Sequence, residues 1–201
     1  MFTSSSIIMK KTILLISFIL CTTITLVAQQ DQFLEDSIER LENSRKYLLL
    51  VAEMMPEEKY GYKATAESLS FSEHLMHIGF ALDWHSQSLL GGREARVYQT
   101  DTVFKPAHKT KAEMMARIDQ TFTEAIALLK DFDPKALNEH LDYFGLDRSK
   151  RQICMLLADH ITHHRGRLRP CQPIPLPPPR KKIPRISWLR DKTCWSWAML
   201  G

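Results

Sequence analysis

Apolar residues between about Asp31 and Met55 recur as Leu34, Ile38, Leu41, Leu48 and Met55, spacings that return to one face of a helix. Pro56 and Glu57-Glu58 mark its end. A second helix is predicted from Ser70, where Ser70 and Glu73 form the S-x-x-E capping box, to the Gly91-Gly92 stop. A third opens with the same device at Thr110 and Glu113 and carries Met114, Ile118, Phe122, Ala125 and Leu129 to the Asp133-Pro134 break. The fourth starts near Asp147 or Ser149 and aligns Ile153, Leu156, Leu157, His160, Ile161, His164 and Leu168 on one side. A long connection from Leu90 to Lys109 and a segment from Leu137 to Phe144, turned by Gly145, link these helices. Four amphipathic helices with one long crossover predict an all-α four-helix bundle.

The ends of the chain read differently from this body. Met9-Lys10-Lys11 precedes an apolar run from Thr12 to Val27, which closes on Ala28 before Gln29-Gln30. A charged start, an apolar stretch and a small residue before polar sequence describe a secretory signal peptide over residues 1–28, with Met9 as the expected start. The apolar run is shorter than the ~20 residues of a bilayer span, so no stable membrane anchor is expected after cleavage. At the other end, seven of the ten prolines fall between Pro170 and Pro184, among basic residues. That density excludes helix over residues 169–201. The readings for this segment are a disordered basic tail, a partner-docking segment or an out-of-frame extension.

Charge follows the same division. The formal net charge is +4, yet residues 29–164 hold 16 Lys and Arg against 22 Asp and Glu, a net of −6. A nucleic-acid-binding core, which needs clustered cations, is disfavoured. Removing the leader leaves Cys154, Cys171 and Cys194, an odd number that gives no disulfide framework. Cys154, in an apolar helical context, is expected in the core.

Chemistry concentrates in Asp159 to Gly166, D-H-I-T-H-H-R-G. His160 and His164 lie one turn and ~40° apart, a placement that presents two imidazole nitrogens to one metal ion. His163 points away from this face. A third ligand must come from another helix, and the second offers His74, His77 and His85. Around a stripe of Phe71, Leu75, Ile78, Leu82 and Leu89, His74 and His85 fall nearer the centre and His77 at its edge, which mildly favours His74. Asp159, Glu73 and Asp83 are candidate acceptors for ligand N–H groups, although each reads more readily as a solvated helix carboxylate.

Three segments carry a family resemblance. T-A-E-S-L-S-F-S-E-H-L-M-H-I-G-F-A-L-D-W (Thr65 to Trp84), K-A-E-M-M-A-R-I (Lys111 to Ile118) and D-H-I-T-H-H-R-G are similar to the second, third and last helices of the DinB-like metalloproteins, which include bacillithiol S-transferases. The resemblance spans roughly residues 35–168, and with it the bundle is bounded at 29–168. It implies an up-down-down-up connectivity and a metal triad of His77, His160 and His164, choosing His77 over His74. It also implies a divalent transition metal, zinc or nickel, and matches Arg165 to the family's arginine, a residue that either binds an anionic group or caps carbonyls. Beyond Arg167 the sequence departs from the family, whose last helix continues through an apolar stretch. Three imidazoles leave a coordination position open to water or substrate, which makes hydrolysis and thiol transfer available. The expectation is an exported, periplasmic or secreted, metal-dependent hydrolase or thiol transferase acting on a small molecule, with the oligomeric state left open between a monomer and a homodimer. The alternative is a non-catalytic metal-binding or degenerate bundle. Because imidazole must be neutral to coordinate, metal release is expected below about pH 6.

Overall fold

Residues 1–55 contain neither Gly nor Pro, and the chain forms one uninterrupted helix, α1, over Thr3–Met54, closed by Pro56. The computed structural model describes the backbone of residues 3–168 and, within it, the side chains of residues 9, 11–17 and 31–168. α1 therefore begins well before the Asp31 expected from its apolar stripe, because nothing local breaks a helix at the junction. Its later part packs through Leu34, Leu41, Leu48 and Val51. Met9, Ile13, Leu14, Leu15 and Ile16 are 58–69% exposed. Among the described residues, no helix is long and apolar enough to cross a membrane. The expectations for residues 169–201, with Cys171 and Cys194, lie outside the described residues.

The local start signals are used as the sequence predicts. Ser70 caps α2 (Phe71–Asp83) and Thr110 caps α3 (Lys111–Lys130), each with a reciprocal bond from its own backbone N–H to Glu73 or Glu113. α4 (Lys150–Leu168) is opened by Ser149, whose hydroxyl accepts from the Gln152 N–H while the Gln152 side chain accepts from the Ser149 N–H. Asp147, the other candidate start, lies instead in a strand.

Two elements depart from the four-helix reading. α2 continues to the Gly91-Gly92 stop, but Trp84–Leu90 is π-helical, and the Gly91 N–H reaches back to the Ser86 carbonyl. The segment before α4 is not plain loop: β1 (His140–Tyr143) pairs antiparallel with β2 (Leu146–Ser149), in register Tyr143 with Leu146. The connecting Phe144 and Gly145 both have positive φ, 55° and 79°, as a two-residue hairpin turn of the primed kind requires.

The fold is otherwise all-α. α1 packs chiefly on α3, while α2 packs on both α4 and α3. Leu48, Phe71, Leu75, Ile78, Leu82, Ile118, Phe122, Ile153 and Ile161 meet in the core, each at most 1% exposed. Burying each such side chain contributes about 1.5–3 kcal/mol. Cys154 belongs to this core as expected, and burial pushes its thiol up to about 11.

The crossover between α2 and α3 is pinned beside the helix that carries the histidines. Buried Asp83 holds Arg93 and Arg96, the latter at 3.3 Å. The Asp101 carboxylate accepts from the Phe104 N–H at 2.7 Å, and the Phe104 ring plugs against α2 at Gly79. A Cβ at Gly79 would sit 2.8 Å from both the Phe104 ring and Ile118 Cδ1, so glycine is what lets the loop and α3 approach α2 here. This close approach fixes α2 directly after His77.

Candidate metal centre

Packing of α2 against α4 brings His77, His160 and His164 together. Each offers one ring nitrogen, and the three nitrogens all lie within 4.8 Å of one another. Ring centroids are separated by 4.5 Å for His77–His164, 4.6 Å for His160–His164 and 5.1 Å for His77–His160. Among the described residues, this is the group of His, Cys, Asp or Glu side chains arranged to hold a metal ion.

Two observations on the side chains themselves fit a metal. Three buried side-chain polar atoms among the described residues lack a hydrogen-bond partner, and two of them are His77 Nδ1 and His160 Nε2. Leaving such atoms unpaired is costly, and a cation is a partner that imidazole nitrogens at this separation accept. The rings are also held neutral. Burial, reinforced by neighbouring imidazoles, draws His160 down to about 4 and His164 down to about 3, and burial followed by the Lys105 charge lowers His77. The lone pairs needed for coordination are therefore present well below pH 6, so the release expected near that value moves to lower pH.

Periodicity favoured His74, and the structure gives it a different place. Its Nδ1 is hydrogen-bonded to His164 Nδ1 at 3.1 Å, with the rings 5.3 Å apart. One nitrogen of His164 is thereby engaged by His74. The two helices are rotated so that the edge residue His77, and not the more central His74, meets His160.

His85 closes the other end of this row. Its Nδ1 donates to the Ala81 carbonyl at 2.7 Å, which makes its Nε2 the acceptor in the neutral ring. The Tyr143 hydroxyl then donates to Nε2 at 3.2 Å. His85 is buried and its centroid lies 6.1 Å from that of His160, so the hairpin is tied to the histidine cluster through it. Trp84, Tyr143 and Phe144 pack against one another beside it, with ring centroids 4.9–5.6 Å apart. On the opposite side the Tyr98 ring meets His77 edge-on at 5.8 Å, with Lys105 Nζ 3.6 Å above it. None of these contacts has a signal in sequence spacing, apart from the turn at Gly145.

The candidate carboxylates do not reach the ligands. Asp159 is 77% exposed and faces Arg40 at 3.6 Å. Glu73 is committed to the Ser70 cap, whose N–H holds its carboxyl below the usual range. Asp83 is buried with its two arginines. Arg165 stacks over Tyr47 at 5.0 Å, and His163 is exposed with its ring 4.9 Å from His164.

Comparison with known proteins completes the picture. The family model of the DinB superfamily matches residues 40–168. A crystal structure of a DinB-like protein from Bacillus subtilis is 20% identical, with a TM-score of 0.54, covering 67% of this chain and 87% of that one. A conserved protein from Enterococcus faecalis is 13% identical, with a TM-score of 0.51, covering 68% and 93%. No curated protein matches the chain. With the family model covering more than half its length, the chain belongs to the DinB superfamily.

Proposed function

We propose that this protein is an exported metalloprotein that binds one divalent transition metal, zinc or nickel, through His77, His160 and His164 and uses it in hydrolysis or thiol transfer on a small molecule. The observation that carries the reading is the convergence of three neutral imidazoles, two of them with buried, unpartnered nitrogens. A metal at such a site supplies a lowered pKa for bound water or thiol and polarises a carbonyl.

The chain's own residues have separable roles in this reading. His77 and His160 supply their unpartnered nitrogens, and His164 its Nε2, while His74 receives the proton on His164 Nδ1 and fixes that tautomer. His85, locked between Ala81 and Tyr143, backs His160 and keeps the hairpin side of the site dry. The described carboxylates are engaged elsewhere, so the reading relies on the metal, not on a protein base, to activate the nucleophile. The up-down-down-up connectivity belongs to the same reading, supported by the pinned crossover between α2 and α3. Export is supported by the exposed apolar residues Met9 to Ile16, which the bundle does not use.

The test is a screen of ester, amide and thiol-transfer substrates with zinc- or nickel-loaded full-length chain and with His160→Ala. Turnover that requires both metal and His160 supports the reading. A folded, metal-loaded chain without turnover on any class would favour the non-catalytic bundle.

A further inference from the structure

Beside the triad lies a second feature. A cavity of ≈ 290 Å³ opens between the segment preceding α2 and the end of α4. Its polar lining consists of Thr65, Ser68, His74, His163 and Arg167, over a floor that includes Leu69. Each of these polar side chains carries a hydrogen-bond donor, that of Ser68 being given to the Thr65 carbonyl at 2.9 Å, and none is an acid. That is unusual for a body whose residues 29–164 carry a net charge of −6. The nearest acid on the same helix, Glu73, is turned to the Ser70 N–H at 2.7 Å and does not line the cavity.

The cavity is also coupled to the candidate metal centre by contact. His74 and His163, both in its wall, pack on His164 with centroids at 5.3 and 4.9 Å, and His74 is hydrogen-bonded to it. His74 is 7% exposed, so the cavity reaches a buried donor as well as surface groups. The Arg167 charge acts on the His74 ring, opposed by the Glu73 carboxylate on the same helix. We propose that this cavity binds the carboxylate of a small organic anion, with Arg167 as its counter-charge and the Thr65 hydroxyl and the two imidazoles as donors. The site stands without the metal. Where the metal reading also holds, it makes an anionic substrate the class selected, held on the His74 side of His164.

The test titrates full-length chain, metal-free and at fixed pH, with acetate and with its uncharged near-isostere acetamide, reading the imidazole resonances of His74 and His163. Saturable shifts with acetate and none with acetamide are expected. Arg167→Gln should weaken acetate binding about five-fold, the factor contributed by one partly screened charge pair. Unmoved resonances, equal responses to the two probes, or a response indifferent to Arg167→Gln would overturn the proposal. A parallel zinc titration keeps the two readings apart. Zinc shifts at His77, His160 and His164 without an acetate response leave the metal reading and remove this one; the converse leaves the anion site and removes the metal.

Discussion

His74 Nδ1 lies 3.1 Å from His164 Nδ1, so the residue that periodicity favours over His77 is hydrogen-bonded to His164 and, in the proposed site, orients that ring. Loss of such a supporting partner typically costs 10–100-fold in metal affinity without removing the site. His74→Ala is accordingly expected to keep its metal stoichiometry while weakening affinity by about ten-fold or more. Competition against a chelator of known affinity measures the difference, and unaltered affinity would deny His74 this role.

Burial of neutral imidazoles makes stability depend on pH in a fixed direction. His160 and His164 titrate near 4 and 3 in the folded chain, below the ordinary histidine value, so the unfolded chain binds more protons. Their contribution is fully present above about pH 6.5 and is lost as pH falls toward those values. For the metal-free chain, the urea midpoint should drop between pH 7.5 and pH 5, and drop less in His160→Gln. An equal drop in both would place the titration elsewhere.

The same depression predicts that bound metal is held below pH 6. In a dialysis series, half-release should come between about pH 4 and pH 6, the interval over which these imidazoles resist protonation less and less. Release complete by pH 6.5 would show that the rings are not shielded as the structure has them.

Gly79→Ala probes the packing that sets α2 beside the crossover. The new methyl meets the Phe104 ring and Ile118 Cδ1 at 2.8 Å. Overpacking costs about 1–3 kcal/mol and the gain in helix propensity offsets about 1 kcal/mol, so a net loss of about 1 kcal/mol is expected in denaturant unfolding. A stabilised variant would mean that Phe104 is not seated against α2.

Tyr143→Phe tests whether the hairpin is anchored through His85. It leaves a buried nitrogen of His85 without its donor, at a cost of about 1–3 kcal/mol, and should leave metal stoichiometry unchanged. Wild-type stability would dissociate the hairpin from the cluster.

What the sequence made legible is what local chemistry determines. The Ser70–Glu73 and Thr110–Glu113 caps involve residues three apart, and both form. The proximity of His160 and His164 follows from one turn of helix. The third histidine did not follow in this way, because His74 and His77 are separated only by how α2 is rotated against α4, which tertiary packing sets and local sequence does not. The resemblance named His77, and the structure places His77 with the other two. The hairpin escaped the pattern because its strands are short and largely exposed, and its turn uses Phe144 where Asn or Asp would have signalled it. The π-helical turn at Trp84–Leu90 has no composition signature at all, and it is what carries His85 toward Tyr143.

The central claim is that His77, His160 and His164 hold one metal ion, and elemental analysis of purified full-length chain tests it most directly, with His77→Ala and His74→Ala alongside. About one zinc or nickel per chain, retained in His74→Ala and lost in His77→Ala, is the result predicted. A folded wild-type chain without metal, or metal lost with His74 and kept without His77, would contradict it.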